Sequence, residues 1–277
     1  MNTILIISII VVIVYLLTKE KMVEVFKTFI FAILIAVFLR SFAYEPFTIP
    51  SGSMKPNLLV GDFLFVSKFS YGYSKYTVPY GRYLPFEGRV FFSKPKRGDI
   101  SVFKYPGDNK TDYIKRIIGL PGDTVRISDG VVYINDIPLK RKIIGTFEDN
   151  HRNGYLEKFD LYEEINEIGK NYLTIDDISF DGIIGAVNNS SENFDLNNTM
   201  TYSVPKGHYF VMGDNREHSS DSRILSQVGF VKEINLVGKA AMIFLSIEYN
   251  NEYIEILGIR IGKFPKKIRY KRIGKLL

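Results

Sequence analysis

Three short segments of this chain carry the residue types needed for acyl transfer, although none would be convincing alone. The first, Pro50-Ser51-Gly52-Ser53-Met54-Lys55-Pro56, sets hydroxyls on a backbone that Pro and Gly hold away from regular geometry. Read alone, it is a Ser-rich turn whose hydroxyls bond their own backbone. The second, Asp112-Tyr113-Ile114-Lys115-Arg116-Ile117-Ile118, has the composition of a strand. Alternation puts Tyr113, Lys115 and Ile117 on one face and Ile114, Arg116 and Ile118 on the other, so either Lys115 or Arg116 must point to the better-buried side. A desolvated lysine gives up its proton readily and becomes a base, whereas an arginine does not. Lowering a lysine by ~3 units from ~10.4 takes ~4 kcal/mol, which a dry pocket supplies and an exposed strand cannot.

The third segment runs Val211-Met212-Gly213-Asp214-Asn215-Arg216-Glu217-His218-Ser219-Ser220-Asp221-Ser222-Arg223. Asp214, Arg216, Asp221 and Arg223 can form charge-assisted pairs that hold a neighbouring loop. A Ser-His-Asp triad is the rival chemistry, with His218 or His208 as base and Asp214 or Asp221 as orienter. Lone histidines in polar loops are more often solvated, as is expected of His151 too. The chain has no Cys, which excludes thiolate nucleophiles, thiolate metal sites and disulfides together. Its three scattered histidines make a poor metal cage, and no cofactor is expected.

The elements that must carry these segments begin with two apolar stretches. Residues 2–17 lie in a run without charged side chains, at the short end of what spans a bilayer, and no basic start or small-x-small pattern marks them for cleavage. The second stretch, 28–39, is flanked by Lys27 and Arg40, which can snorkel so that 23–43 crosses. Lys19, Lys21 and Lys27 lie between the two, and the positive-inside rule puts them in the cytoplasm and everything after Tyr44 outside. A membrane anchor is therefore expected over 1–44.

Beyond it the pattern turns to short β-branched and aromatic runs at 62–69, 99–105, 112–118, 209–213 and 239–248, with a hairpin at 125–134 turning on Asp129-Gly130. The expectation is a mainly β ectodomain: a catalytic part over 45–142 and 204–257, and an inserted subdomain over 143–203, where Asn, Asp, Glu and Ile show no clear period. The net charge of +6 is concentrated in 258–277, which carries Arg260, Lys263, Lys266, Lys267, Arg269, Lys271, Arg272 and Lys275 without an acid. That basic tail suits anionic lipid headgroups. Nucleic acid is not an expected partner, since no recognition element precedes the tail.

Together the segments Phe47-Thr48-Ile49-Pro50-Ser51-Gly52-Ser53-Met54-Lys55-Pro56 through Gly61-Asp62, Arg97-Gly98-Asp99 to Asp123, and Gly207 to Arg223 resemble, in order and spacing, the boxes of the type I signal peptidases. The resemblance runs through most of the chain. It implies a membrane-bound serine endopeptidase with a signal-peptidase-like β fold, cutting signal peptides from exported preproteins after a small-x-small junction. The implied place is the outer, periplasmic face of a bacterial cytoplasmic membrane. Carried over by position, Ser53 is the nucleophile and Lys115 the base. Ser51 Oγ and the Ser53 N–H make the oxyanion hole, and Ser219 orients the lysine. Phe47, Ile49, Met54, Leu58, Val102 and Ile114 line pockets for small side chains, while Asp214, Arg216, Asp221 and Arg223 support them. The chain departs from the pattern at Asn57, where a Thr is common, and at Ile224-Leu225-Ser226-Gln227-Val228, which replaces a Tyr-Trp before Gly229-Phe230. A tethered peptide-binding protein without chemistry is the competing class, and intact Ser53 and Lys115 argue against it.

Overall fold

The computed structural model describes residues 3–78, 81–83, 87–150, 156–167, 169–177, 195–256 and 259–277. Two compact units emerge, residues 1–43 and 44–277. The first is a single helix, α1 (Thr3–Phe42). Where two spans with an intervening loop were expected, the helix is unbroken, and Lys19, Lys21 and Lys27 lie on it. The physical reason is visible in the sequence: no Gly or Pro interrupts 3–42, and lysine is itself a good helix former. Lys21–Phe42 is long and apolar enough to cross a bilayer, its 22 residues reaching about 33 Å. Val25, Phe26, Phe29, Leu34 and Phe38 stand exposed along it.

The second unit is mostly β. Its main sheet is built from β1 (Tyr44–Thr48), which the sequence did not mark out, and from β2 (Asp62–Ser67), β3 (Ile100–Lys104) and β4 (Asp112–Gly119), which it did. A hairpin follows, β5 (Thr124–Ser128) and β6 (Val131–Ile134). It turns on Asp129 and Gly130 at φ 49° and 72°, the paired positive values that a two-residue type I′ turn requires.

Then come β7 (Lys140–Asn150), β8 (Leu156–Ile165) and β9 (Asn171–Asp177), which form a separate antiparallel sheet in the order β7-β8-β9. This is the segment expected as an aperiodic insert. Its described residues form regular strands, the first beginning at Lys140 rather than 143, and farther along the chain Tyr202 pairs with Val125 of the hairpin. Alternation failed to reveal these strands because covered positions carry Glu164 and Thr174 in place of apolar residues.

The chain returns through β10 (His208–Met212), β11 (Leu236–Ile256) and β12 (Ile259–Ile268). The main sheet has the order β1-β2-β11-β3-β4-β10, extended by the short strand Val231–Lys232, with β12 paired to β11. An apolar core lies against it, built from Ile49, Met54, Leu58, Leu64, Val66, Ile100, Val102, Val237, Ala240 and Ile243.

The expected tail at 258–277 is a strand and a docked segment, because its cations find buried and half-buried acceptors. Arg272 Nη2 lies 2.5 Å from Asp62 Oδ2 and donates to the Asn57 carbonyl at 2.8 Å, while Arg269 donates to Val60 and Ile247 carbonyls. Lys266 and Lys267 pair with Glu248, and Leu277 packs on the apolar core. Asp62 is fully buried, and without Arg272 it keeps Arg269 Nη2 as a cation at 3.8 Å and the Ser246 hydroxyl donating at 2.6 Å, so its charge is left poorly compensated. Arg272→Ala in the full chain is expected to cost about 3 kcal/mol, lowering Tm by ~6–12 °C. Calorimetry in detergent checks this; a shift under 2 °C would show that Arg269 and Ser246 suffice for Asp62.

Candidate active site

Residues 51–57 form a compact turn between β1 and β2, closed by Lys55 N–H to Gly52 O at 3.1 Å and Leu58 N–H to Met54 O at 2.9 Å. The side chains of Met54 and Leu58 plug the apolar core, which is why the turn is fixed although its backbone is irregular. Ser53 is nearly buried, whereas Ser51 stays exposed.

Lys115 lies on β4, placed by antiparallel register opposite Ser101 of β3. Both faces of β4 are covered here, so the choice between Lys115 and Arg116 does not arise: each is buried, on opposite sides. Lys115 Nζ sits 2.6 Å from Ser53 Oγ, and 5.7 Å from the centre of the Tyr113 ring. Burial brings the ammonium down from 10.5 to about 8, against the opposing pull of the Asp221 and Asp214 carboxylates and with help from Arg223. A serine and an amine of that basicity in hydrogen-bond reach meet the geometric and proton-affinity requirements of a nucleophile and base.

Arg116 takes the other side, where its Nε and Nη2 clamp both oxygens of Asp214 at 2.7 Å. Its guanidinium lies 4.2 Å over the Tyr172 ring. Of the four residues expected to support the loop, only Asp221 and Arg223 pair with each other, through Nε and Nη2 at 2.9 Å. Burial pushes the Asp221 carboxyl up, but Arg223 overrides it and holds the group below its ordinary value. Arg216 pairs instead with Glu164 of β8 at 2.5 Å. Glu164 and Arg116 were not among the residues read as supporting. A buried cation between apolar neighbours was the signal for Arg116; for Glu164 there was none, since acidic residues surround it in sequence.

Gly213 also escaped notice, and it is where the third segment meets the first. A methyl at its Cα would come 2.5 Å from the Ser53 carbonyl oxygen and 2.3 Å from Ser219 Oγ, so only glycine fits. Ser219 is buried against this glycine and makes no hydrogen bond to Lys115 among the described residues. Asn57 donates to Asp214 Oδ2 at 2.7 Å and to the Leu173 carbonyl at 2.6 Å.

Of the six expected pocket residues, Ile49, Met54, Leu58 and Val102 are buried members of one apolar cluster, and Phe47 and Ile114 are half-buried on its edge. His208 bonds the Lys206 carbonyl and His218 meets Phe159 edge-on at 5.7 Å, neither serving Ser53; His151 lies outside the described residues.

A family model described as signal peptidase, peptidase S26, matches residues 22–245. A protein of Rickettsia typhi named signal peptidase I is 38% identical over 265 residues, covering 94% of this chain and 96% of its own. One of the same name from Rickettsia canadensis is 39% identical over 261 residues, covering 92% and 94%. A crystal structure titled as a signal peptidase I from Enterococcus faecalis V583 aligns over 53% of this chain and 97% of that one, with 27% identity and a TM-score of 0.29.

If Lys115 is the base, its neutral form is the active one, so kcat/KM rises with pH through about 8 and levels above it. The same displacement works against the fold. Below about pH 8 the folded chain holds a desolvated ammonium at a cost of about 3 kcal/mol, relieved as pH climbs toward the unfolded value of 10.5. Lys115→Met is therefore expected to be inactive yet more stable at pH 7 by several degrees, with the gain shrinking above pH 8. Thermal melts across pH 6–10 decide it; a destabilised variant at pH 7 would show that burial of Lys115 is not costly.

Proposed function

The chain belongs to the signal peptidase family, peptidase S26, and from that membership we propose that it is a membrane-bound serine endopeptidase removing N-terminal signal peptides from exported preproteins. In this reading Ser53 is the nucleophile and Lys115 the general base. The observation that carries it is the 2.6 Å approach of Lys115 Nζ to Ser53 Oγ, in a setting that brings the lysine to about 8.

Neutral Lys115 takes the Ser53 proton as Oγ attacks the scissile carbonyl carbon. The carbonyl oxygen gains the negative charge and is held by the Ser53 N–H and the exposed Ser51 hydroxyl. Protonated Lys115 then gives its proton to the departing amine. Water, deprotonated by the same lysine, attacks the acyl-serine carbon; the bond to Oγ breaks, the lysine returns its proton to Ser53 Oγ, and the new carboxyl terminus leaves. Ser219, whose Oγ makes no hydrogen bond to Lys115 here, keeps the orienting role only as what the family resemblance implies, and Asp214, Arg216, Asp221 and Arg223 are assigned to holding the loop behind the lysine.

The substrate is read as an extended strand laid on the sheet, its alternate side chains facing the same way. Phe47 and Ile114 would then form the rim of its pockets. Ile49, Met54, Leu58 and Val102 would be the floor, and because that floor is already close-packed, only small side chains fit. Selectivity for an Ala-x-Ala-like junction follows from volume.

Helix α1 would anchor the protein in a bacterial cytoplasmic membrane, with Lys19 and Lys21 at its cytoplasmic end, Lys27 snorkelling toward that end, and the β unit on the outer, periplasmic face. Anionic lipid is proposed as a second partner of 258–277, through the exposed Lys266 and Lys267. No cofactor or nucleic acid enters this reading.

Incubating a preprotein that carries an Ala-x-Ala junction with the full chain in detergent tests the reading on one gel. The native chain is expected to cut at the junction, and Ser53→Ala and Lys115→Ala to remain folded but slow by about a thousandfold or more. His218→Ala should cut normally. Equal cleavage by all four proteins would end the dyad reading.

A further inference from the structure

The sheet β7-β8-β9 lies outside the dyad in sequence, yet its main chain is bonded to the turn that holds Ser53. The link is Asn215, which is 4% exposed. On one side its N–H donates to the Ser53 carbonyl at 3.1 Å and its Nδ2 to the Gly52 carbonyl at 3.2 Å. On the other side its two neighbours are tied to fully buried Ile175 of β9. The Ile175 N–H donates to Asp214 O and the Arg216 N–H to Ile175 O, both at 3.0 Å. Asn57, at the far end of the same turn, donates to the Leu173 carbonyl of β9 at 2.6 Å. Glu164 of β8, 1% exposed, closes the arrangement by meeting Arg216 at 2.5 Å. Lys55, two residues beyond Ser53, is paired with Asp149 at the end of β7.

We propose that this three-stranded sheet positions the nucleophile: β9 holds Asn215 in place, Asn215 holds the carbonyls of Gly52 and Ser53, and the Glu164–Arg216 pair locks the connection. The inference rests on the reading of Ser53 and Lys115 given above. Asn215, Glu164 and Arg216 are positioning residues; none touches the reacting atoms. The chemistry gives such a device a purpose. Proton transfer from Oγ to Nζ depends steeply on their separation, and a misplacement of ~1 Å costs ~10²-fold in rate. Ser53 sits on an irregular turn with no strand pairing of its own to hold it, whereas Lys115 is fixed by register on β4. A rigid partner for the turn has to come from elsewhere, and here the main chain of β9 provides it.

The experiment compares the full native chain in detergent with Glu164→Gln, Asn215→Ala, the double variant and Ser53→Ala. Readouts are kcat and KM on an Ala-x-Ala preprotein, the pH profile of kcat, and circular dichroism for folding. Each single variant is expected to lose roughly tenfold to a hundredfold in kcat with KM within about twofold. The limb near pH 8 should be displaced, because the Ser53–Lys115 contact has changed. The double variant should lose little more than the worse single one, since both act on one chain of contacts. Glu164→Gln leaves Arg216 a buried cation with a neutral partner and can fail to fold. Asn215→Ala removes only neutral atoms and decides alone in that case. Folded variants with native kcat and an unmoved limb, or with KM raised in place of kcat, overturn the inference. If that happens while Ser53→Ala is dead, the dyad stands; a native chain that does not cut overturns both.

Discussion

An amine kept out of water next to a hydroxyl is unstable in its charged form, and most of what surrounds Lys115 follows from that. The group is brought from 10.5 to about 8, equivalent to about 3 kcal/mol of destabilised ammonium. Against the ~5–15 kcal/mol by which a domain is stable at all, this is a large local cost. The fold sustains it by placing Lys115 on an interior strand, with β3 and β10 on either side, so that the position is held by backbone pairing rather than by the side chain's own interactions.

The charges nearby are arranged to limit their pull on the lysine. Asp214 and Asp221 each raise its proton affinity, and each is partly offset: Asp214 by both arms of Arg116, Asp221 by Arg223 and the Gly213 N–H. A buried ion pair contributes little net stability over an apolar pair of the same size. Its value in this site is that a neutralised carboxylate pulls less on the lysine, while its geometry locks the loop. Glu164 and Arg216 repeat the pattern one layer further out.

Regular and irregular backbone divide the work. Strands deliver Lys115 and Arg116 to opposite faces by alternation, which needs no special residue. The turn at 51–57 and the loop at 213–223 must present a hydroxyl and pack closely together, and they depend on particular residues. Gly213 fits where any side chain would strike the Ser53 carbonyl, and Asn57 substitutes a donating amide where the family pattern has a hydroxyl. Arg272 and Asp62 brace the same turn from the chain's last segment.

Much of this was legible beforehand. The apolar N-terminal stretch, the main-sheet strands β2, β3, β4 and β10 with part of β11, the Asp129-Gly130 hairpin and the segments bearing Ser53 and Lys115 are local patterns, and local patterns are written in adjacent residues. What tertiary structure decided was partnership. That Asp214 takes Arg116, that Arg216 takes Glu164 from 52 residues away, and that the basic segment after 258 spends Arg272 on Asp62 are pairings across large separations. Each arginine had several carboxylates to choose from, and charge alone ranks them equally. The strands β7, β8 and β9 were hidden for a related reason: their covered positions hold Glu164 and Thr174, and Glu164 is satisfied by Arg141 across the sheet and by Arg216 from outside it. Periodicity reports which face is apolar, and a face buried through ion pairs has no apolar signature until its partners are in place.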